Sequence, residues 1–371
     1  IDFFHECLTH IEGQLAGQPF LLQPWQKAIV GCLFGWKRAD GTRRYREAMI
    51  YVPRCSGKTP LAAGIATFVL FCDDEHGQFN VVAAGDRDQA SLLYRWARGM
   101  IEQEAELFKR SKIFKGYGQR SIESSRGFLR VISADAETKH GAKVHLAIVD
   151  ELHVQTNRDL VDVLTTSMAS SNRRQPLLLY ITTADYDRES ICNEKHAYAC
   201  KVRDGVLSDS SFLPVIYETV RDADWTDEAV WARANPNLGV SVSLEALRRE
   251  FSKAKEMPAY EATFKRLHLN MKTETASPWV RLDTWDACSG IAEPPDGAIC
   301  YGGLDLASTT DIAALSLVFT LPDGSISLLS RFWIPADNAH ARERRDRVEY
   351  VTWAKQGLIE MTPGNVIDYD L

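Results

Sequence analysis

The sequence lacks any long hydrophobic run. Its longest mostly apolar stretch, residues 61–72, is shorter than the ~18 residues that a membrane-spanning helix needs, so we expect no transmembrane segment. No basic-then-apolar leader opens the chain, and internal repeats and low-complexity tracts are also missing. With 45% hydrophobic and 25% charged residues, the composition is that of an ordinary folded protein rather than a disordered one.

An excess of positive charge is missing as well. The chain has 43 Lys and Arg against 50 Asp and Glu, a formal net charge of −7, whereas nucleic-acid coat proteins tend to be strongly basic. The balance argues against a coat protein but not against a protein that grips DNA through a few clustered cations. Two local basic clusters exist, for which solvated faces are the first interpretation; they are Arg43, Arg44 and Arg46, and Arg342, Arg344, Arg345 and Arg347.

Cysteine pairs of the CxxC type are absent. The eight cysteines are scattered, which favours free thiols in a reducing cytoplasm over a disulfide framework. One spacing stands out, because Cys192, His196 and Cys200 would share one face of a helix and could contribute to a zinc site. No fourth ligand is evident from the sequence, so ordinary helix packing is the favoured interpretation.

The pattern along the chain predicts an α/β fold. Short apolar segments that read as strands alternate with helical patterns, which favours a mainly parallel sheet with helices on both faces. The predicted strands are 48–52, 79–84, 128–132, 144–149 and 177–181, and the predicted helices are 59–71, 87–104 and 158–170. Residues 188–204 and 226–270 look mostly helical. A second set of strands follows at 300–306, 312–319 and 325–332, with a hairpin turn at residues 322–324 and a helix at 338–355.

These patterns suggest four segments. We expect an α/β core at 1–185, a helical linker subdomain at 186–276, a linker at 277–298 and the first part of a further domain at 299–371. Because the chain starts at Ile1 rather than Met and stops in an apparent mid-domain segment at Leu371, we interpret it as a trimmed fragment.

A phosphate-binding loop is the first motif with clear chemistry. The apolar strand 49–52 runs into Gly57-Lys58-Thr59 just before a helical pattern, which is the core of a Walker A loop. In such a loop backbone N–H groups cradle phosphate, Lys58 reaches the β- and γ-phosphate oxygens, and the Thr59 hydroxyl binds Mg²⁺. The first glycine of the usual pattern is Val52 here, and a capped helix N-terminus is the alternative. The expected phosphate-contacting residues are Cys55, Ser56, Gly57, Lys58 and Thr59.

Two carboxylates at the end of a second apolar strand complete the prediction of nucleotide hydrolysis. Residues 146–149 lead directly into Asp150 and Glu151, as in a Walker B motif. Asp150 would hold Mg²⁺, and Glu151 would polarise the attacking water. A solvated acidic turn is the alternative, but such an apolar strand is typical of the centre of a parallel sheet, where sites gather at the carboxyl ends.

With these motifs in place, the chain resembles the large terminase subunits of tailed bacteriophages, the DNA-packaging motors, over essentially its whole length. Their Walker A loop lacks the first glycine and carries an arginine where Arg54 stands. Gln26, within Leu22-Gln23-Pro24-Trp25-Gln26, resembles the adenine-reading amide, with a surface amide as the alternative. Thr182 and Thr183 resemble the coupling motif that links hydrolysis to movement, with ordinary strand formers as the alternative. Further similarity lies in residues 83–90, 234–237 and 266–270.

The resemblance implies a second activity. In that family the C-terminal domain is a ribonuclease-H-like nuclease that cuts concatemeric DNA with two metal ions, Mg²⁺ or Mn²⁺, held by carboxylates. Tyr301 to Ser308 resembles its first strand, with Asp305 as the first metal ligand and Asp311 as a second candidate or a turn-capping residue. Asp368 and Asp370 are not convincing as the remaining ligands, so we expect those beyond residue 371 and no DNA cleavage by this polypeptide.

The resemblance also implies a mechanism and partners. ATP would lie between Gln26 and the phosphate loop, and an arginine finger would be Arg54 in cis, or Arg173, Arg174 or Lys139 from a neighbouring subunit. The implied partners are double-stranded DNA, the portal protein of the procapsid, the small terminase subunit and further copies of the chain in a pentameric ring. The implied location is the cytoplasm of an infected bacterium and not the mature virion. Alternatives are a helicase-type translocase or repair ATPase and, further off, a P-loop small-molecule kinase.

Overall fold

The computed structural model describes residues 1–84, 87–116, 120–133, 143–155, 158–169, 173–273, 282–288, 290, 294, 296–307, 311–337, 339–346 and 348–367. By its internal contacts the chain divides into two compact units, Ile1–Arg281 and Leu282–Leu371. Within the described ranges, no helix has both the length and the apolar character that crossing a membrane requires.

The first unit is built on one large sheet. Its strands are β1 (Glu47–Tyr51), β2 (Gln78–Ala84), β3 (Ser111–Phe114), β4 (Ser121–Ser124), β5 (Gly127–Ser133), β6 (Leu146–Asp150), β7 (Leu177–Thr182) and β8 (Phe212–Ile216). Its helices are α1 (Asp2–Cys7), α2 (Pro24–Val30), α3 (Lys58–Cys72), α4 (Arg87–Gln103), α5 (Ala105–Lys109), α6 (Asp159–Met168), α7 (Ile191–Arg203), α8 (Glu228–Ala234), α9 (Leu244–Glu256) and α10 (Pro258–His268). A π-helical turn at Gly31–Gly35 extends α2, and a 3₁₀ turn at Leu152–Val154 follows β6.

The sheet order is β3-β4-β5-β2-β6-β7-β1-β8. From β5 to β8 in this order all neighbours are parallel, and the two antiparallel pairings, β3 with β4 and β4 with β5, lie at one edge. The predicted α/β class with a mainly parallel sheet is confirmed. Because parallel strands end at a common edge, the ends of β6, β7 and β1 lie side by side, and these are the strands that lead into the predicted site residues.

Alternation along the central strands creates two apolar cores. Ile50 and Leu179 face one side, where they join Leu61 and Ile65 of α3 in a cluster that also includes residues of α1, α2 and α4. Their neighbours Met49 and Tyr180 face the other side and pack with residues of α6 and α7. Strands buried on both faces explain why the sequence shows near-continuous apolar runs at these positions.

After β8 the chain forms a small helical region with a core of its own. Helices α8, α9 and α10 pack around Trp231, Leu247 and Phe264, all buried, and the ring of Phe251 lies 5.1 Å from that of Trp231. This core is separate from those of the sheet, although the region contacts the sheet edge through hydrogen bonds described below.

The structure corrects the predicted elements at three places. The β3–β4 hairpin and β8 were not predicted. At least half of the residues of β3 and β4 are polar, and β8 contains Pro214, a residue confined to edge strands because it has no N–H to donate. Strand β8 lies within 186–276, the expected helical linker, yet it pairs with β1 in the large sheet. The single helix expected at 338–355 is two shorter helices.

The second unit contains a small sheet of order β12-β11-β10-β9. Its elements are α11 (Leu282–Ala287), β9 (Cys300–Asp305), β10 (Ala313–Thr320), β11 (Ile326–Pro335), α12 (Ala339–Asp346), α13 (Tyr350–Lys355) and β12 (Glu360–Thr362). Strands β9, β10 and β11 pair in an antiparallel manner. The predicted turn between β10 and β11 is present, with Gly324 at φ 83°. Ile334, Ala339, Tyr350 and Ile359 form the core of this unit.

Candidate functional site

The loop between β1 and α3 places Lys58 against the end of β6. Its Nζ lies 3.4 Å from the Val52 carbonyl oxygen and 4.0 Å from Oε1 of Glu151. Burial lowers the pKa of Lys58, and the negative charges of Glu151 and Asp150 partly oppose this effect. A buried ammonium with only one carboxylate at such a distance is suited to receive further anionic oxygens, as a Walker A lysine does.

The same loop needs glycine at position 57 because its φ is +76°, a conformation that other residues rarely adopt. The position faces Nδ2 of Asn237 and Nε2 of Gln26, which would lie 3.5 Å and 3.6 Å from a Cβ there. Ser56 is fully buried, and its Oγ has no hydrogen-bond partner among the described residues. Thr59 follows in the first turn of α3, where backbone N–H groups are free to bind phosphate.

Asp150 and Glu151 end β6 as predicted, but their environments differ. Asp150 is 4% exposed, and burial together with the charge of Glu151 raises the pKa of its carboxyl to about 7. For Glu151 burial acts in the same direction, but His153, Lys58 and Arg54 outweigh it and lower the pKa of its carboxyl to about 2. A bound divalent cation would favour the ionised form of Asp150.

These oxygen donors fit a hard divalent cation. The Asp150 carboxylate and the Thr59 hydroxyl are the ligand types that Mg²⁺ prefers, and water and phosphate oxygens normally complete its shell. The buried, unpaired Ser56 Oγ and the loop N–H groups likewise match a triphosphate rather than an apolar ligand.

Sequence reasoning missed His153, which the 3₁₀ turn folds back over the end of β7. Its Nδ1 lies 3.1 Å from Oγ1 of Thr182, 3.4 Å from Oγ1 of Thr183 and 3.2 Å from Oε2 of Glu151. Both threonines are fully buried. The available signal was a histidine two positions after the acidic pair, which becomes meaningful only when the turn brings it onto the neighbouring strand.

Gln26 lies beside the phosphate loop and is buried, so the alternative of a surface amide is wrong. It is 3% exposed, and its Oε1 accepts the Gln23 N–H at 2.9 Å in a capping box at the start of α2. Its Nε2 faces Gly57. Next to it, the Trp25 indole donates to Oδ1 of Asn237 at 2.8 Å, which ties α2 to the helical region.

The helical region holds the phosphate loop through three hydrogen bonds. Nδ2 of Asn237 donates to the Ser56 carbonyl at 3.1 Å, and Oγ of Ser241 donates to the Cys55 carbonyl at 2.6 Å. The Arg54 N–H donates to the Leu267 carbonyl at 2.9 Å. The segments 234–237 and 266–270, noted only as similarities in the sequence, therefore have a structural role at the loop.

Segment 266–270 also holds the chain just after the two threonines. Oδ1 of Asn270 accepts the Ala184 N–H at 2.6 Å, and Nη1 of Arg266 donates to the Ala184 carbonyl at 3.3 Å. Asn270 itself is fully buried, and its Nδ2 donates to the Tyr217 carbonyl at 2.8 Å. The end of β7 and the phosphate loop are thus both hydrogen-bonded to residues at the end of α10.

The candidate arginine fingers differ in availability. Arg54 has an exposed side chain beside the loop. Arg173 donates to the carbonyls of Lys143, His76 and Gly77, so its guanidinium is already engaged. Arg174 is exposed and makes one hydrogen bond, to the Asp40 carbonyl. Lys139 lies outside the described residues.

The predicted nuclease residues are not brought into a cluster. Asp305 ends β9 and is exposed, and the carboxylate of Asp311 accepts the N–H of Ile312 at 2.9 Å. Among the described residues no three metal-ligating side chains gather at Asp305, so this part of the chain does not by itself fit a two-metal site. Asp368 and Asp370 lie outside the described residues.

The three residues that share one face of α7, Cys192, His196 and Cys200, do not share one set of neighbours. Cys192 is buried, with its sulfur 3.9 Å from Oγ1 of Thr182. His196 Nε2 lies 2.7 Å from Glu218, and this pair and Cys200 are close enough to consider a metal. The Cys200 sulfur, however, lies 3.6 Å from Nε2 and 3.9 Å from Nδ1, which places it beside the ring rather than along the Nε2 lone pair. Packing remains the favoured interpretation.

Comparison with known proteins finds two family models that match consecutive parts of the chain. A family model described as the ATPase domain of the terminase large subunit matches residues 24–201, and one described as its endonuclease domain matches residues 206–371. The large terminase subunit of Enterobacteria phage HK97 is 30% identical over 374 residues, covering 100% of this chain and 71% of that protein. Protein YmfN of Escherichia coli strain K12 is 32% identical over 240 residues, covering 62% of this chain and 52% of that protein.

A solved structure supports the same relationship. The crystal structure of the HK97 large terminase matches with a TM-score of 0.63 at 29% identity, covering 100% of this chain and 74% of that one. The endonuclease match begins before β8, although β8 belongs to the large sheet of the first unit. With an ATPase domain followed by an endonuclease domain, this chain belongs to the terminase large-subunit family.

Proposed function

We propose that this chain is the ATP-driven motor that moves double-stranded viral DNA into procapsids, with hydrolysis at the common edge of β1, β6 and β7. The observation that carries the proposal is the approach of Lys58, from the loop after β1, to Glu151, at the end of β6. Those two residue types at that edge supply phosphate binding and activation of water.

In the proposed reaction Glu151 accepts a proton from water as the water oxygen bonds to the γ-phosphorus. The bond between that phosphorus and the bridging oxygen breaks, and ADP leaves with the electron pair. Lys58 and the N–H groups of the loop hold the phosphate oxygens, and Arg54 adds positive charge beside them. Magnesium, held by Thr59 and Asp150, would neutralise phosphate charge when bound. Gln26 would bind the adenine.

The proposal extends to partners and place. DNA, a portal protein on the procapsid, the small terminase subunit and further copies of this chain in a pentameric ring would take part, in the cytoplasm of the infected bacterium. The contacts of His153 with Thr182 and Thr183, and those of segment 266–270 with the next residue, Ala184, support a path from the site to the helical region. Two members of the basic clusters do not form the solvated faces expected from the sequence, because Arg43 is fully buried and Arg342 is only 4% exposed.

Two substitutions test the hydrolysis site. Lys58→Ala removes a phosphate ligand and Glu151→Gln removes the base, so each should lower ATP turnover by at least about 100-fold. Nucleotide affinity should fall in Lys58→Ala and persist in Glu151→Gln. Turnover is measured as phosphate release with and without DNA, and affinity with a fluorescent ATP analogue.

Lys27→Ala, an exposed position on α2, is the matched control and should leave both quantities unchanged. Wild-type turnover in Glu151→Gln would contradict the assignment of the base. Turnover that DNA and procapsids do not stimulate would contradict the motor.

For the nuclease domain we propose Asp305 as a metal ligand, with Asp311 in an assisting or turn-forming role. Because the described residues do not complete a metal site there, we expect no nicking of supercoiled DNA by the 371-residue polypeptide in Mg²⁺ or Mn²⁺. Metal-dependent nicking that Asp305→Asn abolishes would show that the remaining ligands are present after all.

A further inference from the structure

One imidazole nitrogen lies within reach of both the proposed base and the end of the adjacent strand. His153 Nδ1 is 3.2 Å from Oε2 of Glu151, 3.1 Å from Oγ1 of Thr182 and 3.4 Å from Oγ1 of Thr183. The backbone N–H of His153 also donates to Oγ1 of Thr182 at 3.0 Å, which holds the 3₁₀ turn against β7. The His153 side chain is 11% exposed, so water competes little for these contacts.

The partners of Nδ1 are not equivalent. The Thr182 hydroxyl has other hydrogen bonds, because it accepts the His153 N–H and donates to the Thr183 carbonyl at 3.0 Å. Oε2 of Glu151 is buried and makes no hydrogen bond among the described residues, although Nδ1 is so close. A single N–H donates one strong hydrogen bond at a time, and a hydrogen bond to a carboxylate is stronger than one to a hydroxyl. A small rotation of the ring would therefore exchange a threonine contact for the carboxylate.

The threonine end of this contact leads out of the site. Directly after Thr183, both backbone polar groups of Ala184 are bound by side chains from the end of α10, its N–H by Asn270 and its carbonyl by Arg266. The same end of α10 accepts the Arg54 N–H through the Leu267 carbonyl. A change in the position of the threonines would therefore reach the helical region through the hydrogen bonds of the next residue, Ala184.

We propose that His153 is a positioning residue that links the Glu151 carboxylate to Thr182 and Thr183, exchanging its Nδ1 between them so that hydrolysis and the helical region are coupled. This inference rests on the proposed function, since it takes Glu151 as the base. His153 orients that carboxylate in one arrangement and releases it in the other.

The first test separates orientation from binding. His153→Leu removes Nδ1 and should lower kcat by about 10-fold or more, the loss typical of supporting residues, while KM and the affinity for a fluorescent ATP analogue stay close to wild type. His153→Asn places an amide N–H near the position of Nδ1 and should restore most of kcat. Val154→Ala, in the same turn and 39% exposed, is the matched control and should behave as wild type.

The second test asks whether the effect passes through the threonine. In a double-mutant cycle with Thr182→Val, the losses of His153→Leu in kcat and in DNA stimulation should be far from additive if both residues serve one link. An unchanged kcat in His153→Leu, no rescue by His153→Asn, or additive losses would each overturn the proposal. Thermal unfolding of each variant distinguishes loss of the link from loss of the fold. If His153→Leu is unstable, the activity of His153→Asn is the test instead.

Glu151→Gln distinguishes this inference from the proposed function. If that variant is inactive while His153→Leu turns over ATP as wild type does, only the link fails. If Glu151→Gln keeps full turnover, the assignment of the base fails and this inference fails with it.

Discussion

At the scale of single residues, backbone strain marks the site. The non-glycine residues with positive φ in the described part of the chain are Cys55 at 62°, Glu151 at 50° and Asn270 at 53°. They lie in the phosphate loop, at the end of β6 and at the end of α10. Such conformations cost of order 1–3 kcal/mol each and persist where surrounding contacts enforce them, as they do here. Local propensity disfavours this conformation at Cys55 and Glu151, so their tertiary contacts explain it, whereas Asn270 follows the end of α10, where asparagine tolerates a positive φ.

Asn237 is the residue whose loss should most directly loosen the phosphate loop. Its Oδ1 accepts the Trp25 indole N–H, and its Nδ2 donates to the Ser56 carbonyl. Asn237→Ala leaves both buried partners unsatisfied, which should lower the free energy of unfolding by about 1–3 kcal/mol and raise the KM for ATP more than it changes kcat. Urea unfolding and steady-state phosphate release measure the two effects.

Asn237→Asp and Val240→Ala complete this experiment. The aspartate keeps an acceptor for Trp25 but loses the donor to Ser56, so KM should still rise. Val240, 55% exposed in the same turn, is the control and should change neither quantity. An unchanged KM in both Asn237 variants would show that the loop holds its shape without the helical region.

At the scale of elements, a buried network ties together the amino ends of the central strands, opposite the site. Oδ2 of Asp73 lies 2.6 Å from the Arg43 guanidinium and 2.8 Å from Nε2 of His145, and Gln175 donates to Oδ1 at 2.9 Å. These four residues precede β1, β2, β6 and β7, and all are buried. The network therefore fixes the strands that carry the site from their other end.

Removing its carboxylate should destabilise the fold strongly. Asp73→Asn leaves Arg43 buried without an anion, which should lower the free energy of unfolding at pH 7 by about 3–5 kcal/mol in urea titrations. Asp74→Asn is the matched control, since the neighbouring side chain is 89% exposed and its ion pair with Arg126 spans 3.6 Å. A similar loss in both variants would contradict the role of the network.

The same carboxylate gives a pH dependence of known sign. Burial raises the pKa of Asp73, but His145 and Arg43 outweigh it and lower that pKa from 3.8 to about 2. Because the pKa of Asp73 is lower in the folded state than in the unfolded state, its ionised carboxylate stabilises the folded state. This contribution, about 2 kcal/mol, is complete above about pH 4 and is lost as the pH falls towards 2. The difference in urea midpoint between wild type and Asp73→Asn should shrink over that range; a constant difference would be inconsistent with it.

At the scale of the whole molecule, every residue proposed to bind or hydrolyse ATP lies in the first unit. That unit contains three of the four apolar cores, including the one of the helical region. We therefore expect a fragment of residues 1–273 to fold and to hydrolyse ATP at a rate within a few-fold of the 371-residue chain. Circular dichroism and phosphate release test this, with Lys58→Ala in the same fragment as the control; a folded but inactive fragment would mean that the second unit contributes to the site.

Much of this organisation could be predicted from the sequence. The strands that lead into Lys58 and Asp150, the mainly parallel sheet and the terminase resemblance are confirmed, because apolar strands and glycine-containing loops are local patterns that a sequence displays directly. The short strands β3 and β4 were missed because at least half of their residues are polar, and β8 because it contains a proline.

The sequence by itself determined the chemistry, and only the tertiary structure decided how that chemistry is held together. Lys58 is recognisable because it lies in the loop and helix start after β1, and Asp150 and Glu151 because they stand together at the end of β6. His153, Asn237 and Asn270 are not, because their partners are Thr182, Ser56 and Ala184, which lie far away in sequence. Hydrogen bonds between distant segments depend on the order of strands in the sheet and on the path of the chain back to its edge, and no local pattern encodes either.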